Sequence, residues 1–107
     1  MIVEYIRYQV PAARHVEFLG AYRAAATQLA ASAQCQRYEI SQGVEEPDNF
    51  IVRIEWDSVE RHEQGFRSSP EFRAFYALVK PFFAAIVEMK HYRVDSSGCG
   101  ASKDVLA

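Results

Sequence analysis

The chain has 107 residues, enough for one domain with a real core; half of them are hydrophobic and 13% are aromatic. A formal net charge of −2 and the absence of a basic stripe argue against a nucleic-acid binder. No apolar run approaches the roughly 18–20 residues that span a bilayer, and the N-terminus lacks the basic and apolar regions of a signal peptide, so a cytoplasmic protein is expected.

Residues 2–10 are rich in Ile, Val and Tyr and alternate loosely, which predicts a first strand ended by Pro11. Residues 12–32 are alanine-rich, with Val16, Leu19, Tyr22, Ala26 and Leu29 at helical spacing, and predict a long amphipathic helix. Gly20 inside it suggests a close approach of helix to sheet. Residues 36–42 form a second predicted strand, and the turn-rich stretch 43–49 leads to a third over 50–56. Asp57 and Glu60 then resemble a capping box opening a short helix over 58–66. Ser69 as N-cap and Pro70 at the first helical position start another helix, carrying Phe72, Phe75, Tyr76 and Val79 on one face. Pro81 kinks or ends it, with 82–87 as a continuation, and 88–94 close the pattern as a fourth strand. One domain is expected over 1–94, followed by a polar Gly/Ser-rich tail over 95–107. Cys35 and Cys99 lie far apart, and reduced, incidental thiols are expected.

The order β-α-β-β-α-β leaves few topologies, of which the ferredoxin-like α+β arrangement leads: a four-stranded antiparallel sheet with both helices on one face. Phe50, Val52, Ile54 and Trp56 share one face of the third strand. Ile2, Glu4, Ile6 and Val10 share one face of the first. The helix-free face is expected to carry Tyr5, Arg7, Arg37, Glu39, Arg53 and Glu55, together with His91 and Arg93. Such a mixed Tyr/Arg lattice suits an isologous homodimer through that face, against the plainer reading of a solvated sheet.

The strand-to-helix stretch Trp56-Asp-Ser, then His62, Phe66 and Ser69-Pro-Glu-Phe72-Arg-Ala-Phe75-Tyr76, resembles the antibiotic biosynthesis monooxygenase-like family of dimeric α+β barrels. Pro81 and Met89-Lys-His-Tyr92 add to the resemblance, which covers residues 1–94. It implies a pocket between each subunit's sheet and its own helices. It also implies a cofactor-independent oxygenase in which a quinol-type aromatic substrate supplies the electrons that activate dioxygen. A non-catalytic dimeric ligand-binding or stress-response module on the same fold is the alternative. The haem-degrading branch relies on a tryptophan, a first-strand asparagine and a histidine in the second long helix. Trp56 matches, the asparagine is missing, and Tyr76 stands where the histidine belongs, so no cofactor is expected; haem binding or degradation stays as the less favoured third alternative, since tyrosine can ligate haem iron.

Glu4 among apolar neighbours would be a desolvated carboxylate and is a catalytic candidate, against a structural pairing with an arginine or tyrosine. His62 is the candidate general base near neutral pH, against a helix-surface histidine. His62-Glu63 begins like a zinc-protease motif, but Phe66 holds the second histidine position, and no metal-ligand spacing occurs elsewhere. Tyr22, Trp56, Phe66, Phe72 and Tyr76 are the candidate substrate-binding residues, each equally readable as core.

Overall fold

Alternation of apolar and polar side chains builds four strands in the computed structural model, which describes residues 1–60 and 65–98. They are β1 (Ile2–Gln9), β2 (Cys35–Gln42), β3 (Asn49–Trp56) and β4 (Ile86–Arg93). The sheet order is β2-β3-β1-β4 and every neighbouring pair is antiparallel. Helices α1 (His15–Ala31) and α2 (Pro70–Val79) pack on one face, giving the ferredoxin-like α+β fold. The chain reaches α1 through Pro11 and a 3₁₀ turn, Ala12–Arg14. His15 at its start donates from Nε2 to the Val10 carbonyl at 2.8 Å and meets Asp48 at 3.0 Å, tying helix, strand and loop together.

The core is aromatic. Phe18 of α1 sits among Tyr8, Tyr22, Phe50 and Phe82, with ring centroids 4.8–5.2 Å apart. Phe66 joins Trp56 to Phe72 and Phe75 in a second group. Edge-to-face and tilted pairs at such distances add to the burial of large apolar area.

Four expectations need correction. The buried face of α1 is Phe18, Tyr22, Ala25, Ala26 and Leu29; Val16 is 84% exposed, because rotation about the helix axis is set by Phe18 inserting between the strands. Gly20 makes no close approach: it is exposed, and an added Cβ would meet nothing within 4 Å. His91 and Arg93 lie on the helix side of the sheet, since they pair with Glu4 and Ile2 of β1. A register shift puts Arg7 opposite Glu88 and Tyr8 opposite Ile86, so the extra residue Val87 carries the change of phase in β4. Finally, helical conformation begins at Val59, one residue later than a cap at Asp57 requires; residues 61–64 of the expected helix lie outside the described residues.

The start of α2 follows its sequence signal. The Ser69 hydroxyl accepts from the Phe72 amide at 3.1 Å, and Pro70 occupies the first turn. Beyond Val79 the chain tightens into a 3₁₀ segment, Lys80–Ala85, where Pro81 cannot continue the α-helical ladder. Gly43 is required in the β2–β3 loop, where a Cβ would collide with the Glu46 carbonyl.

Two changes test this account. Gly20→Ala should stabilise the protein by about 1 kcal/mol, because alanine lowers the backbone entropy lost on folding without a clash. Thermal unfolding followed by circular dichroism should show a rise of roughly 4 °C. Ser69→Ala should lower stability by about 1 kcal/mol through the lost cap. An unchanged denaturant midpoint would show that the cap contributes nothing.

Candidate functional site

Glu4 lies near the middle of the sheet, on β1, and points to the helix side. It is only 2% exposed. The register places Ile54 directly opposite it on β3 and Trp56 diagonally beyond. A long side chain reaches such a diagonal neighbour across antiparallel strands. The Trp56 indole Nε1 donates to Glu4 Oε1 at 3.2 Å. On the other flank, directly opposite on β4, His91 Nε2 stands 4.0 Å from Glu4 Oε2. The carboxylate is thus held between the two strands that flank β1, with a neutral donor on one side and an imidazole on the other.

A cavity of about 430 Å³ opens beside it, within the size range of small-molecule pockets. Its depth is set by Glu4, Ile6, Ile54, Phe66 and Phe75, all buried. Its mouth is set by exposed residues: Arg67, Tyr76 (38% exposed) and Met89 (46% exposed). Phe72, Phe83 and Ile86 add to the wall. Among the described residues the lining is apolar and aromatic, with polar groups at its two ends. The 3₁₀ segment matters here: it sets Phe83 edge-on to Tyr76 at 5.0 Å, so both rings form one side of the opening.

Of the residues singled out from the sequence, Glu4, Phe66, Phe72 and Tyr76 line this cavity together. Trp56 and Tyr22 do not. Trp56 is 0% exposed and stands behind Glu4 and Phe66, orienting the carboxylate and backing the aromatic wall. Tyr22 touches the cavity-lining Phe75 from behind, at 6.1 Å between ring centroids. His62 lies outside the described residues. Sequence reasoning missed His91 beside the carboxylate, because β4 carries polar residues on both faces and only its pairing with β1 separates them. It also missed Arg67, which falls between two helical patterns and belongs to neither.

Behind the cavity, Tyr8 and Tyr22 share a short, buried hydroxyl–hydroxyl hydrogen bond. Burial is the main cause that pushes the Tyr8 phenol up to about 12; its bond to Tyr22 pulls the other way and the Glu4 charge adds to the rise. Burial, followed by the Tyr8 neighbour, also carries Tyr22 well above the ordinary phenol range. Both stay neutral at physiological pH and act as a fixed polar pair in the core. Burial likewise raises the Cys35 thiol to about 11, leaving it protonated and a poor nucleophile. Among the described residues, no group of three or more His, Cys, Asp or Glu side chains is placed to hold a metal ion, and no helix is long and apolar enough to cross a membrane.

The opposite, helix-free face carries a charge lattice. Arg53 pairs with Glu55 and Glu39 and donates from Nε to the Tyr5 hydroxyl at 3.3 Å. These partners, the Glu55 hydrogen bond first, raise its affinity for its proton further. Arg37–Glu39 and Lys90–Glu88 pairs extend the pattern, and Tyr5 meets Tyr92 edge-on at 5.6 Å.

Comparison with known proteins places this geometry. Among solved structures, a Bordetella bronchiseptica protein described as an antibiotic biosynthesis monooxygenase superposes with a TM-score of 0.77 at 22% identity, over 89% of this chain and 97% of that one. SnoaB, a cofactor-independent oxygenase from Streptomyces nogalater seen as a single-residue variant, superposes with a TM-score of 0.72 at 13% identity, over 90% of this chain and 94% of its own. These likenesses concern the fold. In sequence, the uncharacterized protein YczJ of Bacillus subtilis is 29% identical over 77 residues, 72% of this chain and 81% of that protein. The family model for antibiotic biosynthesis monooxygenases matches residues 1–78, most of the chain, and the protein therefore belongs to that family.

Proposed function

We propose that the chain is a cofactor-independent monooxygenase acting on a hydroxylated aromatic small molecule of the quinol type, bound in the cavity beside Glu4. The observation that carries this reading is a buried carboxylate opening into an apolar, aromatic-lined cavity. Membership of the family and the likeness to a cofactor-independent oxygenase support it. In such a reaction one atom of dioxygen enters the ring and the other leaves as water. All the electrons come from the substrate.

The protein's share is then binding, orientation and proton transfer. Phe66, Phe72, Phe75 and Phe83 hold a planar ring and exclude water. Glu4 accepts a proton from a substrate hydroxyl or from an activated ring carbon, which makes the substrate electron-rich enough to react with oxygen. Trp56 fixes the position of the carboxylate, and His91, close to the other carboxylate oxygen, stabilises the charge when protonated. His62 is proposed as a second proton carrier, on the ground that an imidazole titrates near neutral pH.

Oxygen uptake with a panel of quinols and anthrones tests this directly. Glu4→Gln keeps the shape of the side chain and removes the base, and should lower turnover by about 10²-fold or more. Trp56→Phe should lower it less, by loosening the carboxylate. Wild-type turnover no faster than buffer across the panel, with the aromatics still bound, would favour a non-catalytic binding module. A Glu4→Gln variant as active as wild type would remove the carboxylate from the chemistry.

We further propose a homodimer through the helix-free sheet face. Its alternating charges around Tyr5 and Tyr92, with Ile51 exposed on the same face, suit an isologous contact in which each basic group meets an acidic one of the second copy. Arg53→Glu would set a third negative charge beside Glu39 and Glu55 and should shift the protein to monomer in sedimentation velocity at micromolar concentration. A wild-type monomer under the same conditions would refute the interface.

A further inference from the structure

The two oxygens of Glu4 face unlike partners. Oε1 accepts from the Trp56 indole, whose N–H donates and cannot take up a proton. Oε2 stands 4.0 Å from His91 Nε2, and an imidazole both accepts and releases protons. Glu4 itself is buried, and among the described residues the cavity beside it is lined mainly by aromatic and aliphatic side chains. A ring seated there takes the place of water on that side. A proton taken up by Glu4 then has no aqueous exit through the filled cavity, although each further turnover requires the carboxylate back.

The edge of the sheet supplies an exit. His91 lies directly opposite Glu4 in the register, on β4, and β4 is the last strand of the sheet on that side. Its side chain is 23% exposed, so it spans from the buried carboxylate to solvent. We propose that His91 is the proton relay that returns Glu4 to its basic form. This rests on the reading of Glu4 as the base of the site and adds the route by which its proton leaves. The substrate's O–H or C–H bond breaks and an O–H bond forms on Glu4. A small side-chain rotation closes the 4.0 Å gap, as hydrogen bonds of catalytic groups tighten once substrate is bound. The proton passes from Oε2 to Nε2, and the imidazolium gives up its Nδ1 proton to water. Exchange with water resets the tautomer. The sum is one proton moved from substrate to solvent, with no transfer of electrons. His91 stands outside the cavity lining and acts through Glu4.

Deuterium wash-out tests the relay without oxygen. Full-length protein is incubated anaerobically in ordinary water with anthrone deuterated at the ring carbon opposite its carbonyl, and loss of label is followed by mass spectrometry. The wild type should exchange the label faster than buffer. His91→Ala should slow the exchange roughly tenfold or more, with KM unchanged. Free imidazole should restore the rate of this variant in a saturable way, whereas thiazole, a ring of similar size and far weaker basicity, should not. Rescue requires a folded protein, so it reads proton transfer and not stability. His91→Gln, which keeps a polar side chain at the same place, should be as slow as His91→Ala. Exchange at the wild-type rate in either variant, a loss that imidazole fails to restore, or a wild type that takes up oxygen but washes out no label would each overturn the relay. Oxygen uptake after air is admitted separates the two claims. Equal uptake and equal wash-out by the wild type and His91→Ala defeat the relay alone. Wash-out that depends on His91, without oxygen uptake, upholds the relay and defeats the oxygenase reading. Neither wash-out nor uptake by the wild type defeats both.

Discussion

A carboxylate in the middle of a sheet, covered by helices, is the constraint around which the rest of this protein is arranged. An uncompensated charge in such a place costs several kcal/mol. Glu4 is held there by the Trp56 indole and faces His91, groups supplied by the two strands that flank its own. Both contacts depend on the register of β1: a slip of one residue would turn Glu4 to the other face and bring Val3 in its place. The buried aromatic cluster fixes that register, since Tyr8 and Val10 continue the same face of β1 into the contacts made by Phe18.

The two faces of the sheet divide the work. The helix side holds the core at one end and the cavity at the other, with Phe75 and Phe66 as the boundary between them. The cavity exists because α2 stops at Val79. A helix continued past Pro81 would carry its side chains at a regular angle, whereas the 3₁₀ segment presents Phe82 to the core and Phe83 to the opening. The other side of the sheet is neither a core nor an ordinary solvated surface. Its arginines and glutamates are already paired within the chain, so a second copy would meet a pattern whose charges are fixed in position.

The sequence was most legible where one signal dominated. Period-two alternation in β3 has Phe50, Val52, Ile54 and Trp56 on one face and Ile51, Arg53 and Glu55 on the other, and every one of the first four is buried. Ser69 and Pro70 mark the start of α2 by a mechanism that works locally, through a hydroxyl and an amide three residues apart. It was least legible where both faces carry the same residue types. In β4, Lys90 and His91 are neighbours of similar polarity, and no local rule says which one turns toward the helices. Val16 and Gly20 misled for a related reason: alanine on several sides of α1 leaves the direction of its apolar face weakly specified, and the bulky Phe18 settles it.

The element order, the aromatic supply for a core and the identity of a carboxylate, Glu4, on an otherwise apolar strand face were determined by the sequence alone, because capping, turn chemistry and alternation act over a few residues. The partners of that carboxylate, the retreat of Trp56 behind the cavity wall, and the place of Arg67 at its mouth were decided only by the tertiary structure. Each depends on strand register or on the end of a helix, and these bring together residues far apart in the chain, which no local pattern encodes.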